Sequence, residues 1–569
     1  GVNTAGGMRA TGGSVATATG GKRSNAEWFG ECTGADTLRL QRLTASDIER
    51  TLEDLFGSSG TRLGRPWPLL RQGGRGSVTV EEARALARIA RERAQEYSAA
   101  HADECPDALS CRPNLADLGL RLFRRPLSQE ESAAFEMLFE RAAEEASDPA
   151  AGLSAVVEAM LESPYFVFRV ETSSGGRWSD WTVAARLAYF LWRSGPDAEL
   201  RNAATRAELS DREGLERQVA RMLDDPRAAY GFAAIVEEWL GLAELGEPGF
   251  AVWPAEVPIA EMAQQTQIFL ERAYAEDRAT LDELLLATQA PLNAPLADYL
   301  RVPSDGLGAR FSDVELEPSK FAGILTHGAL LLTAGTPSTR GKLLLGRLLC
   351  TEVGASPPSV DLPEGNTRRE RYEALSSTAA CAGCHQMLDP LGFALEGFDS
   401  LGAPQDALVN GSIAQLDGAS NVPFDGPRGL AELLAGSPQV SRCLGRRFGE
   451  YALDGGQGQV SVLQSGTPLP PAGEPPAPPA PLTCLASAFE REGGDLRSLL
   501  AGLARSDVFL RASADFELPS FRASERTPLE HAAGNADALA RAAAQSVDSP
   551  LEIQSYAEAL AALAREDAP

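Results

Sequence analysis

Cys381, Cys384 and His385 stand together in "CAGCHQMLDP", residues 381–390, with two residues between the thiols and the histidine directly after the second. Three chemistries use closely spaced cysteines. Structural zinc takes about four ligands in a tetrahedral array. The pentad offers three at most, and His327 is the only other histidine within sixty residues. A redox dithiol is expected beside a βαβ pattern, and the chain shows none. Covalent haem needs two thiols spaced to add across two vinyl groups, and a histidine placed beneath the iron. The pattern therefore assigns one covalent haem c to Cys381 and Cys384, with His385 as the proximal ligand.

The chain has eight cysteines. Removing the pentad pair leaves six, an even number that suits an oxidising compartment. Haem c is also attached outside the cytoplasm, so the two readings agree. Cys105 and Cys111 bracket "CPDALSC" and are expected to bridge. Cys443 and Cys484 flank the proline-rich "TPLPPAGEPPAPPAPLTC" and are expected to pin its base. Cys32 and Cys350 then pair by elimination. The alternative is six buried free thiols.

The elements that must position the pentad read as helices. Thr44 with Asp47, Thr79 with Glu82, Ser128 with Glu131 and Ser210 with Glu213 have capping-box spacing. After Ser210, Leu215, Val219, Met222 and Leu223 fall on one helical face, and Pro226 ends the run. Period-2 alternation is scarce. The expected fold class is mainly α: a multi-module helical protein with a cytochrome c-like haem module towards the C-terminal third. The Gly/Thr/Ser-rich residues 1–36 read as a flexible leader left after processing, or as a tether. Helical modules are expected over 37–112, 113–178 and 179–305. The haem module is expected over 318–425, a C-terminal helical module over 426–512, and a tail with one short helix over 513–569.

"CAGCHQMLDPLGFALEGFDSLGAPQD" resembles the haem segment of the secreted planctomycete- and myxobacterial-type cytochromes, a family of five consecutive modules of unknown function. Other stretches resemble its landmarks in order. They are "LQRLTASDIERTLEDLFG", "LFRRPLSQEE" with "LESPYFVFRVE", "AARLAYFLWRSGPDAEL" with "QVARMLDDPRA", "FAGILTHGALLLTAGTPSTRGKLLLGRLLC", and finally "CLGRRFGEYAL" with "LRSLLAGLARSDVF". The resemblance spans about Leu38 to Arg511. It implies a secreted haem protein and supplies no reaction. The proline-rich insertion and the Ala-rich tail depart from the pattern.

One histidine leaves one axial position to fill. The methionines are Met8, Met137, Met160, Met222, Met262 and Met387. None follows Met387, which stands too near His385 to reach round, so the common downstream Met ligand is excluded. His327, in the apolar "GILTHGALLL" of the same module, is the candidate sixth ligand. The alternative is an open or water-bound iron, with His327 a core residue. Arg340 in "TPSTRG" is a candidate fork for a haem propionate. Asp389, Glu396 and Asp399 are read as structural. They are expected to orient the proximal ring, close a turn or hold a cation, and the last two are expected on one helical face. Arg124 and Arg125 are expected to brace module packing.

A net charge of -27 makes nucleic acid and anionic membranes poor partners and favours a basic protein. No apolar run approaches the roughly eighteen residues of a membrane span. No Ser/His/Asp set, phosphate loop or HExxH is present. The expected function is electron transfer to or from a redox protein partner, in the periplasm or at the cell surface. A haem peroxidase or oxidase with an open distal site is the alternative, and a surface binding or assembly protein with a structural haem is a second. The sequence leaves the oligomeric state undetermined.

Overall fold

A computed structural model describes residues 40–57, 78–242, 245, 253–351, 353, 362–379, 381–454, 480–491, 494–512, 516–519, 527–546 and 551–566. The leader, Cys32 and most of the proline-rich stretch before Cys484 lie outside them.

The fold is mainly α, as expected: helices succeed one another along the described chain, and the sheets are four antiparallel two-stranded pairs. The capping boxes explain several helix starts. Thr44, Thr79 and Ser128 each accept from the backbone N–H three residues on, and Asp47, Glu82 and Glu131 return the bond. The fourth box is not formed. Asp211 caps Arg212–Asp224 by accepting from Gly214 N at 3.0 Å, while Ser210 turns away and donates to Asp180. A carboxylate one residue closer to the helix outcompetes the hydroxyl for the first-turn donors. Two further boxes, Thr336 with Thr339 and Thr367 with Glu370, open the helices Pro337–Leu348 and Arg368–Ser376, which precede the pentad and pack against its helix.

One large apolar core runs through the described chain. The helix Val80–His101 packs on Pro149–Glu162, and the two C-terminal helices pack on each other and on these. The expectation of one short tail helix is thus replaced by two helices, Pro528–Ser546 and Leu551–Glu566. Their burial follows from spacing: Leu529, Ala532, Ala536, Leu539 and Ala543 recur every three or four residues and are all buried. Tyr556 Oη donates to Glu162 O at 2.6 Å, docking the tail on the N-terminal half.

Arg124 donates to the carbonyls of Tyr165, Phe166 and Phe168, and to Tyr189 Oη at 3.1 Å. Arg125 forms a two-pronged pair with Glu131, both bonds 2.7 Å. Both arginines brace packing, as expected. A hairpin missed by the period-2 reading, Gly411–Leu416 with Ala419–Phe424, turns at Asp417-Gly418, both at positive φ.

The bridges differ from the expected set. Cys105–Cys111 is present, but Cys350 pairs with Cys443, 93 residues on. That overturns both Cys443–Cys484 and Cys32–Cys350. Cys484 is itself disulfide-bonded. Elimination failed because it began from the proline-rich loop, whereas the fold lays the helix Pro438–Asp454 against Pro337–Leu348, just before Cys350.

Candidate functional site

Cys381 caps the helix Ala382–Gly392, and its carbonyl accepts from Cys384 N at 3.2 Å and His385 N at 3.1 Å. The pentad is thereby wound into a first helical turn. Cys381, Cys384 and His385 stand at i, i+3 and i+4, one face of that turn, and Asp389 follows one turn later on the same face. Cys381 is half-buried and Cys384 exposed, and both are free thiols.

The imidazole of His385 is fixed from two sides. Its Nδ1 donates to Asp389 Oδ2 at 2.9 Å, and Ser338 Oγ lies 3.2 Å from the same nitrogen. The Ser338 hydroxyl donates to the other carboxylate oxygen, Oδ1, at 2.5 Å. Asp389 is fully buried, and that burial pushes its carboxyl above the usual range while Ser338 and His385 pull it back. With Nδ1 occupied, Nε2 is the nitrogen left to bind. Ser338 reaches this pair because its helix touches the pentad helix backbone to backbone. A Cβ on Gly392 would stand 1.9 Å from Pro337 O.

Behind the pentad the chain changes course. The α-helix ends at Gly392, soon after Pro390, and a 3-10 turn, Phe393–Leu395, follows. The three acids therefore part company. Asp389 orients His385. Asp399 closes a turn by accepting from Leu401 N at 2.8 Å and Ala403 N at 2.9 Å. Glu396 meets Arg340 at 2.8 Å and Arg368 at 3.6 Å. Glu396 and Asp399 share no helical face, because no helix continues that far.

Arg340 is turned inward, 1% exposed. Its guanidinium donates to the carbonyls of Ala334 at 3.0 Å, Leu395 at 2.7 Å, Phe398 at 2.9 Å and Asp399 at 2.6 Å, besides Glu396. Burial lowers the Arg340 pKa and raises that of Glu396, and their proximity opposes both shifts. These donors tie the post-pentad loop to its neighbour. The fork expected for a propionate is instead closed on protein.

His327 caps the helix Gly328–Thr333 and is 3% exposed. Its Nδ1 lies 3.0 Å from Thr266 Oγ1, and its ring meets Phe269 edge-on at 5.0 Å. Both partners belong to the helix Ile259–Ala275. His385 takes its partners from the two other helices, so the histidines share none of these neighbours. Sequence reasoning missed Ser338 and Thr266. The signal for Ser338 was its place one residue past a Thr-Pro helix start, in a module already singled out.

Among the described residues no group of three or more His, Cys, Asp and Glu is arranged to hold an ion. The donor set here is instead two unbridged thiols and one oriented imidazole on a single helical face, which fits covalent haem attachment.

Comparison with known families finds three matches, each described as a protein of unknown function: DUF1595 (PSD5) over residues 111–171, DUF1592 (PSD4) over 178–301 and DUF1588 (PSCyt3) over 322–407. These are domains of the planctomycete-type multi-module cytochrome family. The pentad falls inside the third. No curated protein and no solved structure matches the chain.

Proposed function

We propose that this chain is an extracytoplasmic c-type haem protein, with a single haem held by Cys381 and Cys384 and ligated by His385, that exchanges electrons with a protein partner. The observation that carries the reading is the oriented imidazole. His385 keeps Nε2 free beside two thiols that remain unbridged, whereas Cys105, Cys111, Cys350, Cys443 and Cys484 are all disulfide-bonded. Two unbridged thiols one turn apart, in a chain whose other described cysteines are bridged, suit attachment to the two vinyl groups of a haem. On haem, each thiol would add across one vinyl group, its proton going to the vinyl carbon, so nothing would leave. Haem bound there supplies one-electron chemistry at iron.

The chain's own contribution is support. Asp389 and Ser338 set the ring, Arg340 and Asp399 hold the loop behind it, and Tyr372, Leu375 and Phe393 form a separate small apolar cluster against Cys381. The surrounding helical modules, far larger than electron carriage needs, serve partner recognition.

Haem-stained denaturing gels test the attachment. A band that keeps peroxidase activity after denaturation is expected, and one that loses it refutes the covalent reading. Absorption spectra with and without carbon monoxide then separate two roles. Unchanged spectra fit a closed electron carrier. Ready carbon monoxide binding fits the peroxidase or oxidase alternative. That second reading is favoured by the carboxylate behind His385 and by the separation of His327's neighbours from those of His385.

A further inference from the structure

We infer that Asp389, steadied by Ser338, is a positioning residue that makes His385 a strongly donating ligand and thereby lowers the reduction potential of the bound iron. This rests on the haem reading above. A ligand histidine needs a partner for its second ring nitrogen, and the identity of that partner tunes the metal. Here it is a full carboxylate, 2.9 Å from Nδ1. The carboxylate is buried and takes its hydrogen bonds from the His385 ring and the Ser338 hydroxyl. No Lys or Arg is paired with it among the ion pairs of the described residues. No opposing cation therefore shares its charge, and it acts on the imidazole in a region where electrostatic interactions are stronger than in water.

The geometry holds this arrangement from both sides. Asp389 is placed by helical periodicity, four residues after His385. Ser338 comes from the facing helix, whose first turn is set by the Thr336 capping box and by Pro337. One hydroxyl thus bridges carboxylate and ring, and it limits rotation of both. Drawing the Nδ1 proton towards Asp389 leaves more electron density at Nε2. That favours ferric over ferrous iron.

The test compares the haem-loaded full chain as wild type, Asp389→Asn, Ser338→Ala and Ser338→Thr. Covalent haem is first counted as pyridine haemochrome, and the midpoint potential is then titrated spectroscopically. Asp389→Asn is expected to raise the potential, and Ser338→Ala, which loosens the carboxylate but also removes a donor from it, to shift it by less. Ser338→Thr, which keeps the hydroxyl, is expected to return it to the wild-type value. A purely structural role would lower the melting temperature and leave the potential in place. If Asp389→Asn does not fold, the Ser338 pair decides. Wild-type potentials in haem-loaded Asp389→Asn or, failing that, in Ser338→Ala overturn the inference while the haem reading stands. A wild type without covalent haem overturns both.

Discussion

Gly341 and Leu388 meet where the helices Pro337–Leu348 and Ala382–Gly392 cross, so closely that a Cβ on Gly341 would stand 1.9 Å from Leu388 O. The crossing brings Ser338 within reach of His385 and Asp389. Gly341→Ala must push the pentad helix away. Overpacking of this kind costs about 1–3 kcal/mol. The expected result is a lower melting temperature together with a shifted haem potential, as Ser338 loses its partners. A variant with wild-type stability would show that the contact gives way elsewhere.

Cysteine status provides an independent check. Peptide mapping without reductant should recover Cys105–Cys111 and Cys350–Cys443, and should find Cys484 oxidised. Cys381 and Cys384 should react with an alkylating reagent in protein made without haem and be protected in the loaded form. Replacing both Cys350 and Cys443 with Ala should cost about 2–5 kcal/mol, since the bridge closes a long loop. A Cys443–Cys484 peptide would contradict the observed pairing.

Arg340→Ala is expected to be among the most damaging single changes in the haem module. It leaves Glu396 buried with only Arg368 at 3.6 Å, and it takes a donor from four carbonyls, of which those of Leu395, Phe398 and Asp399 keep another. Breaking a buried pair in this way costs about 3–5 kcal/mol. Denaturant titration measures it. A propionate anchor on the haem would instead show as weakened haem retention or a shifted potential with stability little changed.

What the sequence revealed and what it hid follow from the range of the interactions. Capping boxes and apolar stripes are local, so most helices and the face shared by Cys381, Cys384 and His385 were legible. Ser338 with Asp389, Thr266 with His327 and Cys350 with Cys443 join residues 51, 61 and 93 positions apart. Such pairs depend on which helices cross, and the crossings depend on small residues such as Gly341 and Gly392, whose significance lies in what they allow to approach. Arg340 illustrates the same limit. A guanidinium in a haem module suggests an anionic ligand, yet the loop it braces forms only because the helix stops at Gly392.

His327 allows the two views of that residue to be separated by titration. Burial lowers its pKa to about 3, and lowers that of His531 to about 4. An unfolded histidine titrates near 6.5. As pH falls below about 6.5 the unfolded chain therefore takes up protons that the folded chain refuses. The stability contributed by each neutral ring is present above that value and is lost as pH drops towards its folded pKa. The slope reaches about 1.4 kcal/mol per pH unit for each histidine. His327→Ala should be less stable at neutral pH, by roughly 0.5–3 kcal/mol for a lost core side chain. It should also lose stability less steeply between pH 6.5 and 4, because one refused proton is gone. Denaturation midpoints at several pH values measure the slope. Its ferric spectrum should match the wild type, since the ring's partners are Thr266 and Phe269. A change to a high-spin spectrum in this variant would instead make His327 the sixth ligand, and would weaken the case for an open distal face.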